Sequence, residues 1–170
     1  MELLVIRHAG ARDRDDFAET GLSDDLRPLT DEGADEMRQV ARGLRTQVKA
    51  IEVLATSPLV RAVQTAELVA EAYGIEVRET TTSLSPEAPL EEFEKWCAGL
   101  GAKKLVAVVG HEPHLSTLVT WLVTGMHESR VRLKKGGACL LEFESEVRRD
   151  SGTLNWLLTP RQLAVNATSA

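Results

Sequence analysis

The sequence predicts an α/β fold, a three-layer sandwich in which helices cover both faces of a mostly parallel central sheet with an antiparallel edge. Short apolar runs alternate with segments of helical periodicity, which is typical of strand–helix–strand units. Near the end of the chain, two strand-like segments at 138–143 and 153–158 are joined by too few residues for a parallel crossover. We therefore expect these two strands to pair antiparallel at one edge of the sheet.

The length of the chain favours a single domain. Its 170 residues, 43% of them apolar, are enough to bury one sizeable core. We expect this domain to span residues 1–160. Residues 161–170 are predicted to form a mobile tail, because the segment from Ala164 onward carries little to fold around.

The hydrophobic pattern predicts the individual elements. Strands are expected at 3–6, 52–56, 75–78 and 105–109, and the first and last of these are expected to be buried. Helices are expected at 30–48, 58–73 and 90–100 and again after Pro113. Ser57 is predicted to cap the second helix, with Pro58 in its first position, and Gly74 to end it. The polar segment 9–29 shows no sustained periodicity and is interpreted as a surface loop.

Composition excludes several classes of partner. The chain has 20 Lys and Arg against 26 Asp and Glu, and its net charge of -6 repels nucleic acid and anionic membranes. Cys97 and Cys139 are far apart and lack CxxC spacing, so we expect reduced packing residues. Only four consecutive apolar residues occur before Arg7, too few for a signal peptide, and a cytoplasmic location is predicted.

Polar side chains follow three of the predicted strands. His8 comes directly after the first strand, together with Arg7, and His111 follows the strand at 105–109. Arg61 lies in the first turn of the helix after the second strand, close to free backbone N–H groups that attract anions. Because the carboxyl ends of parallel strands meet at one edge of a sheet, we expect these four side chains to share one crevice.

The residue types in this crevice suit phosphoryl transfer. Guanidinium groups bind phosphate oxygens and stay charged at any working pH, so Arg7 and Arg61 are expected to clamp a phosphoryl group. Neutral imidazole can attack phosphorus, which makes His8 the candidate nucleophile. His111 would then stabilise the charge of the transferring group. These observations predict a phosphatase that acts through a transient phosphohistidine.

Other interpretations of the same residues are possible. A histidine at a strand end is commonly a structural hydrogen-bonding residue. His114 could form a metal pair with His111, although Pro113 and the lack of an HExxH pattern disfavour this. The segment 134–137 (KKGG) could bind phosphate through backbone N–H groups, but a plain turn is favoured.

Three spaced motifs together resemble a known family. They are Arg7-His8-Ala9, the segment 57–66 (SPLVRAVQTA) and the segment 110–113 (GHEP), in that order. The set is similar to the histidine phosphatase superfamily, also called phosphoglycerate mutase-like, and the short chain with LTDEG at 29–33 resembles its SixA-type branch of phosphohistidine phosphatases. One departure is Ala9, where the superfamily usually has glycine.

The resemblance implies a phosphoglycerate mutase-like fold and specific roles. It implies that His8 is the phosphoacceptor and that Arg7, Arg61 and His111 complete the phosphate pocket. It also implies catalysis without a metal or cofactor, on a phosphorylated protein that carries phosphohistidine. Two alternatives stay open: a small phosphomonoester such as a sugar phosphate or nucleotide as the substrate, or a non-catalytic regulatory module that binds phosphate.

The residue that protonates the leaving group is not defined by these motifs, although many relatives use an acid. Glu87 is the first candidate, with Asp13, Asp16 and Glu112 behind it. A phosphoramidate leaving group would weaken the need for any acid. The connection at 80–89 has an ordinary loop length, so we expect an open pocket without a lid.

Overall fold

The computed structural model describes residues 1–167, and the side chains of residues 1–165. A six-stranded sheet forms its centre. The strands are β1 (Glu2–Arg7), β2 (Val53–Thr56), β3 (Glu79–Thr80), β4 (Leu105–Gly110), β5 (Ala138–Phe143) and β6 (Gly152–Leu158). The helices are α1 (Arg14–Ala18), α2 (Asp31–Gln47), α3 (Val60–Tyr73), α4 (Leu90–Gly99), α5 (His114–Thr124) and α6 (Pro160–Ala167).

The sheet has the strand order β3-β2-β4-β1-β5-β6. The first four strands in this order are parallel, so β1 and β2 both pair with β4 in the same direction. Strand β5 pairs antiparallel with β1, and β6 pairs antiparallel with β5 at the edge. The predicted fold class, a mostly parallel sheet with an antiparallel edge, is confirmed.

The two faces of the sheet bury separate apolar cores because side chains alternate along each strand. On β1, Leu4 and Ile6 face the core that helices α2, α3 and α6 cover. Leu3 and Val5 face the opposite core, which α4 and α5 cover. All four side chains are fully buried, as expected for a strand covered on both faces.

Local signals define helices α2 and α3 as the pattern predicts. Thr30 Oγ1 accepts the Gly33 N–H at 3.0 Å and caps α2. The first turn of α2 carries two acidic residues, whose negative charge interacts favourably with the helix dipole. Helix α3 ends at Gly74, which has a positive φ of 65° that costs glycine little. The predicted ends of these helices agree with the structure to within two residues.

The segment 9–29 is more ordered than the sequence pattern indicates. It contains α1 and a 3-10 turn at Asp24–Leu26, and it buries Phe17 and Arg27. The carboxylate of Asp13 caps α1, and Arg27 donates to Asp24 at 2.7 Å. The prediction of a plain surface loop is therefore wrong, because charged residues in it pair with each other and with the domain.

Two further elements differ from their predicted positions. The third strand occupies Glu79–Thr80 and not 75–78, and it pairs with β2 over two residues only. Residues 161–167, which the pattern assigns to a mobile tail, lie in α6. There Leu163 is fully buried and Gly43 of α2 packs against its backbone. The rest of the predicted tail, 168–170, lies outside the described residues. Within residues 1–167, every helix is too short or too polar to cross a membrane.

Candidate active site

The carboxyl ends of three adjacent strands form the site. Arg7 ends β1 and is in register with Gly110 at the end of β4, while β2 ends beside them at Thr56. The His8 N–H donates to the Gly110 carbonyl at 3.0 Å. The rings of His8 and His111 lie 5.1 Å apart, centroid to centroid. The predicted meeting of these strand ends thus occurs in the structure.

A backbone carbonyl orients the ring of His8. Its Nδ1 lies 2.8 Å from the oxygen of Ala9. A carbonyl oxygen only accepts hydrogen bonds, so Nδ1 carries the proton and the neutral ring has its lone pair on Nε2. Burial lowers the pKa of His8 to about 4, and the positive charges of Arg61, Arg7 and Lys135 act in the same direction. The ring is neutral at pH 7.

His111 is also neutral and is held by Ser57. It is 2% exposed, and its Nε2 lies 2.8 Å from Ser57 Oγ. Burial lowers the pKa of His111 to about 3, with further lowering by His8 and Arg61. Ser57 is therefore not the predicted N-cap of α3. That helix begins at Val60, and the Ser57 hydroxyl bonds the imidazole and accepts the Leu59 N–H at 3.4 Å.

Arg61 is buried in the wall of the site and is paired with Asp24. Its exposed fraction is 3%, its Nη2 lies 3.2 Å from Asp24 Oδ2, and its Nη1 donates to the Asp24 carbonyl at 2.9 Å. A hydrogen bond from Arg27 lowers the pKa of Asp24, and the charge of Arg61 adds to this. Asp24 thus stays ionised and orients the guanidinium. No local motif marks Asp24, because its partner is 37 residues away in the chain.

Arg7 is held by the backbone of Leu133. Its Nη1 donates to the Leu133 carbonyl at 2.8 Å. Leu133 in turn donates its N–H to Glu112 Oε1 at 3.0 Å, and the other carboxylate oxygen of Glu112 accepts a hydrogen bond from the Ser116 hydroxyl. Burial lowers the pKa of Arg7, and the negative charge of Glu112 opposes this. Arg7 and Glu112 therefore fix one peptide segment between them.

Three buried nitrogen atoms of the site have no hydrogen-bond partner within residues 1–167. They are Arg7 Nε, Arg61 Nε and His111 Nδ1. An unsatisfied buried polar atom costs about 1–3 kcal/mol, so native structures rarely keep one without a function. Nitrogen donors from two guanidinium groups beside a neutral imidazole suit an anion that offers several acceptor oxygens.

Two further contacts tie the site together, and the sequence pattern does not reveal them. The hydroxyl of Thr65 accepts the Ala9 N–H at 3.1 Å and donates to the Arg61 carbonyl at 2.7 Å, which connects the loop after β1 to α3. The N–H of Gly136 points to the carbonyls of Arg7 and His8, at 3.2 and 3.1 Å. The KKGG segment is therefore a turn packed against the site.

Two of the four candidate acids have hydrogen-bonded carboxylates, and the other two are exposed. The carboxylate of Asp13 accepts the N–H groups of its own helix, and Glu112 has both oxygens bonded. Asp16 and Glu87 are exposed. Glu87 lines a surface cleft together with His114 and His127.

His114 and the two cysteines are all buried. Burial raises the pKa of both Cys97 and Cys139 to about 12, which agrees with packing residues. Within residues 1–167, no group of three or more His, Cys, Asp or Glu side chains is arranged to hold a metal ion.

Comparison with known proteins gives consistent matches. The profile of the Histidine phosphatase superfamily (branch 1) matches residues 3–82. An uncharacterized protein of Picosynechococcus sp. is 37% identical over 141 residues, which are 81% of this chain and 82% of that protein. Phosphohistidine phosphatase SixA of Escherichia coli is 28% identical over 166 residues, 96% of each chain. The structure of the protein histidine phosphatase SixA complexed with tungstate superposes with a TM-score of 0.79 at 28% identity, over 96% of this chain and 99% of that one.

These matches assign the chain to a family. The chain belongs to the histidine phosphatase superfamily. Its sheet and helices have the phosphoglycerate mutase-like arrangement seen in SixA, and it falls within the SixA-type branch. It is accordingly a phosphatase, a hydrolase that acts on a phosphorylated substrate.

Proposed function

We propose that the protein dephosphorylates phosphohistidine in a protein substrate through a covalent phosphohistidine on His8. The observation that carries this proposal is the hydrogen bond from His8 Nδ1 to the Ala9 carbonyl. It directs the free lone pair of a neutral ring to Nε2, in a pocket with two guanidinium groups. In the first step, Nε2 forms a bond to phosphorus as the bond from phosphorus to the leaving group breaks. In the second step, water attacks phosphorus and releases phosphate and His8.

The remaining three residues stabilise the phosphoryl group. Arg7 and Arg61 each offer an unpartnered Nε–H to its equatorial oxygens, where charge is spread in the transition state. In this mechanism the Ser57 hydroxyl donates a hydrogen bond to Nε2 of His111. The proton of that neutral ring is then on Nδ1, which donates a third hydrogen bond to the phosphoryl group. Asp24 and Leu133 hold the two guanidinium groups in place.

The placement of two of the four candidate acids, Asp13 and Glu112, favours a phosphoramidate substrate, while Asp16 and Glu87 are exposed. Asp13 caps a helix, and the carboxylate of Glu112 accepts two hydrogen bonds, so neither is set up to give up a proton. A phosphorylated imidazole can take a proton on its distal nitrogen from water and leave as a neutral ring. An imidazole leaving group therefore needs less help from a general acid than the alkoxide leaving group of a phosphate ester does. The whole-length similarity to phosphohistidine phosphatase SixA points in the same direction.

The mechanism is tested by substituting the nucleophile. His8→Ala is expected to abolish turnover of a phosphohistidine peptide and to abolish incorporation of acid-labile radiolabelled phosphate into the protein. His127→Ala, a matched change of an exposed histidine, should leave both unchanged. We also expect a chelator to have no effect on turnover. Full activity of His8→Ala would refute the mechanism.

The substrate class is tested separately. Phosphohistidine peptides and a panel of sugar phosphates and nucleotides are compared by kcat/KM with the same enzyme preparation. A higher kcat/KM on the peptides is expected. If a metabolite is preferred and His8 is still labelled, the chemistry stands and the protein is a small-molecule phosphomonoesterase. If neither is hydrolysed and His8 takes no label, the protein is a phosphate-binding module.

A further inference from the structure

The connection between α5 and β5 carries a cluster of positive charge. Residues 126–135 (MHESRVRLKK) contain one acidic residue, Glu128, and four exposed cationic side chains. We call these four residues the basic rim: Arg130, Arg132, Lys134 and Lys135. None of them forms an ion pair with a described residue. The cluster contrasts with the chain as a whole, whose net charge is -6.

The backbone of the basic rim is fastened to the phosphate pocket. Leu133 lies between Arg132 and Lys134 and is fully buried. Its carbonyl accepts from Arg7 and its N–H donates to Glu112. Immediately after the rim, Gly136 bonds to the backbone of β1 and His8. The rim is therefore held at a constant position relative to the pocket.

Two members of the rim lie close to the phosphate pocket. Arg132 lines the same surface cleft as Arg7, together with Thr117 and Ser129. Lys135 is close enough to His8 for its charge to help lower the pKa of that imidazole. Positively charged side chains thus continue from the pocket along the rim. Six residues span at most about 20 Å when fully extended, which leaves room for contacts beyond a single phosphate.

We propose that the basic rim is a docking surface for acidic side chains that flank the phosphohistidine of a protein substrate. This inference rests on the proposed function and adds the kind of partner that the site accepts. A protein of net charge -6 repels an acidic partner at long range, and a local patch of opposite sign is what allows approach in one orientation. The phosphoryl group itself is bound by Arg7 and Arg61, so the four charges of the basic rim are available to bind the substrate protein around its phosphohistidine.

The test uses two phosphohistidine peptides of equal length. One has Asp and Glu around the phosphohistidine, and the other has Asn and Gln at the same positions. We expect the intact protein to have the higher kcat/KM on the acidic peptide, with a preference that declines as salt is added. The double variant Arg130→Gln/Arg132→Gln should lower the acidic-to-neutral ratio by roughly three- to tenfold, mainly through KM.

A matched variant and a folding measurement complete the design. Arg42→Gln removes an exposed arginine from α2, eleven residues after the helix begins, and should leave the ratio unchanged. Thermal unfolding shows whether the double variant is folded. A single Arg132→Gln variant serves if it is not.

Each contrary result has a distinct meaning. Equal kcat/KM on both peptides in the intact protein overturns the docking surface and leaves the proposed function standing. An equal fall on both peptides in the double variant also overturns it, because general damage to the pocket then explains the loss. If neither peptide is hydrolysed while a sugar phosphate is, the proposed function fails, and the docking surface fails with it.

Discussion

Lowering the pH is expected to destabilise the folded protein through the two site histidines. The pKa of His8 is about 4 in the folded state, against an ordinary value of 6.5. Between these values the unfolded chain binds a proton that the folded chain does not. The free energy of unfolding therefore falls as pH drops through this window, by about 3 kcal/mol for His8 alone. His111, with a pKa of about 3, acts in the same direction.

A comparison of variants isolates this effect from that of the carboxylates. Urea unfolding is measured at pH 7 and pH 4 for the intact protein and for His8→Gln. The intact protein should lose about 3 kcal/mol more than the variant between the two pH values, because the variant has no imidazole to protonate at this position. NMR titration of the His8 ring gives its pKa directly. A ring that titrates near 6.5, or equal losses in the two proteins, would refute the reasoning.

Two further predictions concern residues outside the proposed nucleophile. Asp24→Asn should lower kcat/KM by about tenfold in steady-state kinetics, because the buried guanidinium of Arg61 loses its counter-charge. Asp24→Glu keeps the negative charge and should retain more activity. Unchanged activity of Asp24→Asn would show that Asp24 does not orient Arg61. Gly43→Ala places a Cβ on the backbone of Leu163 and should reduce the free energy of unfolding by about 2 kcal/mol or more in a urea titration, whereas Gly99→Ala, which meets no neighbour, should not. Equal stability of these two variants would contradict the docking of α6.

Much of the fold is predictable because its signals are local. Strands β1 and β4 are short runs of buried residues, and α2 has an apolar face in helical register with a cap at Thr30. The elements that differ lack such signals. Strand β3 has two exposed residues and exists because it pairs with β2. Helix α6 has only eight residues, and its burial of Leu163 depends on the glycine that α2 offers at residue 43.

The same distinction applies to the site. The parallel direction of the strands predicts that His8 and His111 meet, because both follow the carboxyl ends of such strands. The contacts of Ser57 could not be predicted, because Ser-Pro before a helix is also the usual pattern of an N-cap, and only the folded chain brings His111 within 2.8 Å of the hydroxyl. Asp24 and Leu133 likewise act over long sequence distances, through an ion pair and a backbone carbonyl.

In the proposed mechanism, the Ala9 carbonyl also decides which ring nitrogen of His8 carries phosphorus. Phosphohistidine exists as two positional isomers, with phosphorus on either ring nitrogen. Since Nδ1 is engaged with Ala9, the covalent intermediate of the proposed mechanism carries phosphorus on the other nitrogen. The hydrogen bond between His8 Nδ1 and Ala9 can persist throughout the catalytic cycle. The imidazole ring therefore need not rotate between phosphorylation and hydrolysis. One backbone oxygen thereby selects a single isomer without any side chain devoted to that task.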